Sequence, residues 1–300
     1  MHPTHRTLSH TGDAAALVRN VLGLFKLRIG FVIMITALAG YAITPGPSLG
    51  VIQLTVLALS VLIASASAGA FNQYIEYKSD RLMTRTRGRA FVTGALRHTP
   101  AWLIPIGLLL TASVAAAWVA LNITSALFVF LGAFFYAIVY TVWLKRRTWL
   151  NIVIGGLAGS FSVLAGAAAV DPTIGILPLL LALVLFLWTP PHFWSLAIAN
   201  RADYAAAGIP MLPVVVGDAR AAHVVFISTL ALVGASLLPA FFGVGPIYLV
   251  GAISGGGYFI YKAWQLARSP SRKTAMGSFF ASLIQLSVLL VAAMIEALVF

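Results

Sequence analysis

Long apolar runs constrain this chain more than any other feature. They can be marked off at about 26–44, 51–72, 100–120, 124–143, 150–170, 174–198, 221–242, 244–264 and 276–298, each bounded by Gly, Pro or charge. A helix needs roughly 20 apolar residues to cross the hydrocarbon core of a bilayer, and each run has that length. Only 9% of the 300 residues are charged, against about 25% in soluble domains. The chain therefore has too little charged surface for a soluble fold. The expected fold is an all-α polytopic membrane protein, with nine transmembrane helices in a bundle around a central cavity.

The placement of charge orients the bundle. With nine spans, all 19 Lys and Arg fall on one side, in the N-terminal segment, in alternate connections or at the ends of the runs beside them. The opposite turns, "TPGPSLG", "LNITS", "VDPTIG" and "FFGVGP", hold none. Basic residues stay in the cytoplasm, so the N-terminus is expected inside and the C-terminus outside. The formal charge of +12 sits between apolar runs rather than in basic arms, which argues for a membrane and its lipids and against nucleic acid. The chain has no cysteine, which excludes disulfides, thiolate metal sites and a cysteine nucleophile. Residues 1–25 lack the apolar core of a signal peptide and are expected as a frayed cytoplasmic tail before a single transmembrane domain over 26–300. The expected location is a bacterial cytoplasmic (inner) membrane, or the mitochondrial inner membrane in a eukaryote.

Two cytoplasmic connections are long, at about 77–99 and 199–220. Each begins with a polar cluster, Asn72/Glu76/Asp80 and Asn200/Arg201/Asp203, with four spans between them. This is the pattern of a tandem four-helix repeat.

Asn72, Glu76 and Asp80 follow at i, i+4 and i+8, and drift only about 80° around a helix. If the second span continues as a helix past 72, all three share one face at the cytoplasmic mouth. A solvated helix end paired with Arg81 and Arg85 is the plain alternative. Asp203 in the matching connection favours the sharper reading. Hard oxygen ligands on facing segments suit Mg²⁺, which shares its shell with substrate phosphates. Around them lie Lys78, Arg81, Arg85, Arg87, Arg89 and Lys145-Arg146-Arg147, and guanidinium and ammonium groups bind phosphate oxygens. Together these describe a metal–diphosphate site above an apolar cavity suited to an isoprenoid tail.

Three stretches carry a resemblance: "NQYIEYKSDRLMTRTRGR" from Asn72, "YTVWLKRRTWLNIVIGGLAG" from Tyr140, and "WTPPHFWSLAI" from Trp188 followed by "DYAAAGIPMLPVV" from Asp203. From about Lys26 to residue 290 the chain resembles the intramembrane prenyltransferase superfamily, and within it the enzymes that farnesylate haem. The resemblance implies farnesyl diphosphate and haem B as substrates, haem O and diphosphate as products, Mg²⁺ as cofactor, and partners among terminal oxidase assembly or haem A synthesis proteins. Carried over by position, it implies Asn72, Glu76, Asp80 and Asp203 as the catalytic set, with Glu76, Asp80 and Asp203 on the metal. Lys26, Arg28, Arg85, Arg89, Lys145 and Arg146 are implied diphosphate contacts. The chain departs from the family pattern with Glu76 for Asp, Lys78 and Ser79 near a usual Asp, "KLR" and "RAF" without their prolines, and "SFSVLAGAAA" after Gly159.

His192 lies inside the sixth span. A lone intramembrane histidine is commonly a hydrogen-bond partner between helices; the resemblance adds the reading of a ligand to haem iron, with His98 as second candidate. Trp188, Phe193 and Trp194 line the same cavity or belong to an aromatic belt. Gly155, Gly156 and Gly159 suit close helix packing better than ligand approach. "GIPMLP" reads as a bent segment. The residues leave other readings open: a prenyltransferase for a quinone precursor or another aromatic acceptor, a secondary transporter, or a haem-binding protein without catalysis.

Overall fold

A computed structural model describes residues 10–299. All regular structure among them is helical. In chain order the elements begin with α1 (His10–Leu24), α2 (Leu27–Ala42), α3 (Val51–Asp80) and α4 (Ala90–Thr93). A 3₁₀ turn, Pro100–Trp102, leads into α5 (Leu103–Ala120); α6 (Ile123–Phe134) then runs on as a π-helix, Phe135–Leu144. There follow α7 (Asn151–Gly155), α8 (Leu157–Val170), α9 (Ile176–Ala199), α10 (Arg201–Ala206), α11 (Leu212–Val216) and α12 (Asp218–Leu237). After a 3₁₀ stretch, Leu238–Phe242, α13 (Pro246–Arg268) and α14 (Arg272–Val299) complete the bundle.

Seven helical stretches among the described residues are long and apolar enough to cross a membrane, or eight if α1 and α2, bent by 45°, count as one broken span. The expected nine is not reached on that measure. The expected eighth span corresponds to α13, which is 23 residues long. Ser254, Gly255, Gly256, Gly257 and Lys262 dilute its apolar character.

Two boundaries correct the sequence reading. The segment expected as a frayed tail forms α1 from His10, while residues 1–9 lie outside the described part. The second span does not stop near 72, because α3 carries on to Asp80. Its 30 residues make a rod about 45 Å long at 1.5 Å per residue, longer than the roughly 30 Å hydrocarbon core. The polar end can therefore project past the apolar slab while remaining helical. The connection expected over 199–220 is likewise structured, holding α10 and α11.

Small residues set the closest approaches, as expected where apolar burial gives helices no preference for each other over lipid. A Cβ on Gly166 would run into the carbonyl oxygen of Ala37 and come within 2.9 Å of the Tyr41 nitrogen; one on Gly40 would meet the carbonyl of Val163. α2 and α8 thus touch backbone to backbone. Leu181, Leu232, Phe259, Leu266 and Leu289, from α9, α12, α13 and α14, are fully buried in one apolar cluster.

Candidate active site

The end of α3 gathers the charge. Asn72, Glu76 and Asp80 are 2, 5 and 2% exposed, so the face implied by their spacing points inward. Burying carboxylates without partners would cost several kcal/mol each, and cations from other segments supply partners. Lys145, at the end of the π-helix, forms an ion pair with Glu76. Arg89, at the start of α4, lies 2.5 Å from Asp80 and 3.6 Å from Glu76. Arg146 donates to the Ser79 hydroxyl at 3.0 Å.

Lys26 joins from the opposite side, at the break between α1 and α2. Its φ of 49° and ψ of 42° are left-handed, a conformation costly for a residue with a side chain. There its ammonium donates to Asn72 Oδ1 at 2.7 Å and to the Tyr136 hydroxyl at 3.4 Å. The Asn72 amide nitrogen then donates to Thr141 Oγ1 at 3.0 Å. Strain at Lys26 is thereby tied to the charged cluster.

The π-helix supplies the wall. Tyr136 and Tyr140 stack at 5.8 Å between centroids, with the Lys26 ammonium 5.9 Å from one ring centre and that of Lys145 5.4 Å from the other. Lys145 N–H bonds the Tyr140 carbonyl five residues back, the wide-turn pattern found at many functional sites. Gly155 makes room for this wall, since a Cβ there would sit 2.9 Å from the Tyr140 ring. The expectation that this glycine serves packing agrees with the contact. Sequence reasoning missed Tyr136, Thr141 and Ser79 as site residues. The "YAIVYT" tyrosines at i and i+4 before the basic run were the available signal.

Not every expected residue joins the cluster. Asp203, in α10, accepts from the Arg85 backbone N–H at 3.1 Å. With Thr84, Arg85, Asn200 and Arg272 it lines a separate, open cavity of roughly 490 Å³. Partial burial favours its neutral form, but the Arg85 amide, the Thr84 amide and hydroxyl, and the Arg85 charge outweigh it and hold the carboxyl below its usual range. Arg28 and the Arg85 side chain are exposed. Among the described residues no three His, Asp or Glu side chains stand close enough to hold a metal ion by themselves. The donor set of Asn72, Glu76 and Asp80 fits a hard divalent ion that completes its shell with water and substrate phosphate, and does not form an all-protein cage.

His192 is 6% exposed, and its Nδ1 lies 2.7 Å from Ser282 Oγ on α14. The interhelical hydrogen bond expected of an intramembrane histidine is thus present. His98 is exposed; its Nε2 sits 2.9 Å from the Tyr74 carbonyl and its ring between Tyr74 and Tyr77, at 4.5 and 4.4 Å.

An apolar helical bundle with a buried carboxylate–cation cluster at one end is the arrangement of an intramembrane transferase of diphosphate esters. Residues 33–284 match the UbiA prenyltransferase family, and the chain belongs to that family. Protoheme IX farnesyltransferase 2 of Paramagnetospirillum magneticum (strain AMB-1) is 56% identical over 94% of this chain and 98% of its own length. Protoheme IX farnesyltransferase 1 of the same organism is 47% identical, over 91% and 96%. Among solved structures, a digeranylgeranylglyceryl phosphate synthase superposes with a TM-score of 0.77 at 18% identity, covering 95% of this chain and 99% of that one. A UbiA homologue from Archaeoglobus fulgidus bound to DMAPP and Mg²⁺ does so with 0.67 at 16%, covering 90% and 99%. These two likenesses establish the fold.

Proposed function

We propose that this protein transfers a farnesyl group from farnesyl diphosphate to a vinyl group of haem B, giving haem O and diphosphate. The acceptor and donor follow from the protoheme IX farnesyltransferases to which the chain is similar along almost its whole length. The observation that carries the chemistry is the cluster of Lys26, Arg89, Lys145 and Arg146 around two buried carboxylates. No apolar substrate needs such a cluster. A diphosphate with an isoprenoid tail does.

Arg89, Lys145, Lys26 and Arg146 surround the place where negative charge grows as the C1–O bond of the farnesyl ester breaks and the electron pair leaves with diphosphate. Fixed cations in a low-dielectric site stabilise such charge more than they would in water. Asn72, Glu76 and Asp80 on α3 would hold Mg²⁺, which supplies further charge neutralisation on the phosphate oxygens when bound; Asp203, bonded to the Arg85 amide, stands apart from them. The stacked faces of Tyr136 and Tyr140 and the apolar helix walls keep water from the allylic carbon. The haem vinyl group gives its electron pair to that carbon, and water adds to the cation left beside the porphyrin ring, losing a proton.

The same reading places nine spans in the membrane, counting α1–α2 as one and α13 as another, with the N-terminus cytoplasmic as the basic connections require. It divides the chain into a leading segment over 1–25 and one transmembrane domain over 26–300. It places the protein in a bacterial inner membrane, beside proteins of terminal oxidase assembly or haem A synthesis.

The test uses purified full-length protein in detergent with haem B and farnesyl diphosphate, with and without Mg²⁺, and product analysis by mass spectrometry. A magnesium-dependent hydroxyethylfarnesyl haem is expected. Haem left unchanged beside a prenylated quinone precursor in a parallel reaction would assign the other acceptor class.

A further inference from the structure

We infer that the open cavity between Arg85 and Arg272 is a binding site for paired carboxylates of the acceptor, the two propionates on one edge of haem B. The inference rests on haem as the acceptor and gives its acid groups a place of their own, apart from the diphosphate.

Arg85 reaches the cavity from the connection after α3, and Arg272 from the first residue of α14. Neither guanidinium forms an ion pair with any described carboxylate. The one acid in the lining is Asp203, and its carboxylate is already engaged: it accepts from the Arg85 amide at 3.1 Å and from the Thr84 amide and hydroxyl. Two cations thus face the cavity against one committed acid. The lining is also graded in depth. Leu196 and Met276 belong to it together with Asn200 and Arg272, and each lies four residues further into its helix, about 6 Å at 1.5 Å per residue. The rim is charged and the floor apolar, which suits a molecule with acids on one edge and an apolar body behind them.

Basic residues at cytoplasmic helix ends are common to membrane proteins, but this end breaks a local rule. The first turn of α14 holds Arg272 and Lys273 and no acid. Cations at a helix N-terminus oppose its dipole, which favours anions there. An arriving carboxylate removes that conflict and pairs with a planar guanidinium suited to it. Both arginines are exposed, so they are open to a ligand, and solvent weakens each contact they make.

The reaction needs two anionic sites. Farnesyl diphosphate has one charged head, which the cluster of Lys26, Arg89, Lys145 and Arg146 takes. Haem B brings two propionates, and the second cavity offers two unpaired guanidiniums. One short connection serves both places: Arg89 turns to Asp80 and Glu76, while Arg85, four residues earlier, lines the acceptor cavity. The substrates are thereby held side by side. In haem B the vinyl groups stand on the edge away from the propionates. Propionates fixed at the rim turn the vinyl edge inward, past Leu196 and Met276, towards the apolar helices that surround the farnesyl chain. Arg85 and Arg272 are then positioning residues for the acceptor, and they set which edge of the porphyrin enters first.

The experiment titrates full-length protein in detergent with haem B and with its dimethyl ester, in which both propionates are capped. Wild type, R85Q and R272Q are compared with each ligand, so that differences in detergent partitioning cancel in the ratios. Each substitution should weaken haem B binding by about 5- to 10-fold, the scale of a solvent-exposed bidentate pair, and leave ester binding unchanged. R272K should recover part of the loss. In turnover, KM for haem should rise in both variants while KM for farnesyl diphosphate stays constant. Equal weakening of haem B and ester would overturn the proposal, as would full haem B affinity in both variants. A rise in KM for farnesyl diphosphate alone would give these arginines to the diphosphate and overturn it too. Failure of the wild type to bind either porphyrin would overturn the acceptor assignment itself, and is distinguishable because it shows before any variant is made.

Discussion

The Arg89 guanidinium lies 2.5 Å from Oδ2 of Asp80, joining the start of α4 to the end of α3 across nine residues of sequence. It also reaches Glu76 at 3.6 Å, so one cation neutralises two buried carboxylates. Both contacts run from one guanidinium nitrogen, Nη1, and the planar fork carries further donors in fixed geometry that an ammonium lacks.

Arg89→Ala should therefore leave Asp80 buried without a cation. Breaking a buried pair from one side costs about 3–5 kcal/mol, visible as a lowered midpoint of thermal unfolding in detergent. Turnover should fall by about 100- to 1,000-fold, the scale for losing one fixed charge-stabilising group. Arg89→Lys should recover part of the stability and little of the turnover.

Asp80→Asn separates the two roles. It keeps the size of the side chain and removes the charge, so the protein should remain folded and inserted. Haem O formation should fall by at least about 100-fold. Normal turnover by the product assay would remove Asp80 from the site.

Asp203 predicts a pH dependence. Partial burial works against its charge, but the Arg85 and Thr84 donors hold the folded pKa below the usual carboxylate range. A depressed carboxylate contributes stability above its unfolded pKa of about 3.9, and that contribution is lost as pH falls through the lower folded value. Hydrogen exchange at the Arg85 amide, corrected for intrinsic rates, should stay protected from pH 7 down through the ordinary carboxylate range and open only below it. Asp203→Asn should abolish that acid step.

Two glycines in one helix should respond oppositely to alanine. At Gly166 the new Cβ collides with the α2 backbone, and overpacking of this kind costs about 1–3 kcal/mol. At Gly159 nothing lies within 4 Å, so alanine should stabilise by about 0.5–1 kcal/mol through helix preference alone. Unfolding of the two variants in one detergent compares them directly.

The opposite end of the bundle offers an independent check. Glu296 is 7% exposed, and its Oε2 accepts from the Tyr248 backbone N–H in the first turn of α13 at 2.9 Å. A carboxylate at a helix N-terminus satisfies a free donor and meets the positive end of the dipole. Glu296→Ala should cost about 1–2 kcal/mol in unfolding experiments, with haem O formation per folded molecule retained.

The sequence made legible what depends on helical period and charge sign. Asn72, Glu76 and Asp80 could be placed on one face because i, i+4 and i+8 superpose on any helix, and Arg89 and Lys145 could be nominated because buried acids need cations. Their pairing partners could not be read, since Lys145 meets Glu76 only through the packing of α3 on the π-helix. Local departures from ideal geometry were also hidden. Nothing in "FKLR" announces the left-handed turn at Lys26, and nothing in "FYAIVYTVWL" distinguishes a π-helix from an α-helix. The structured tail shows the same limit: α1 is polar enough to pass as coil and becomes visible only once folded. Ser282 escaped notice because hydroxyls in apolar helices are common, and its role depends on a histidine 90 residues away.

The π-helix between Phe135 and Leu144 bears on how relatives should be compared. A wide turn accommodates more residues than an α-helix does over the same rise, so this stretch acts as a phase adjuster between α6 and the basic run that follows. Removing one residue from it would shorten the protein by almost nothing, yet would swing Lys145 through about 100°, away from Glu76. A single-residue gap here, which an alignment would pass over as trivial, would mark a protein with a differently wired charge cluster.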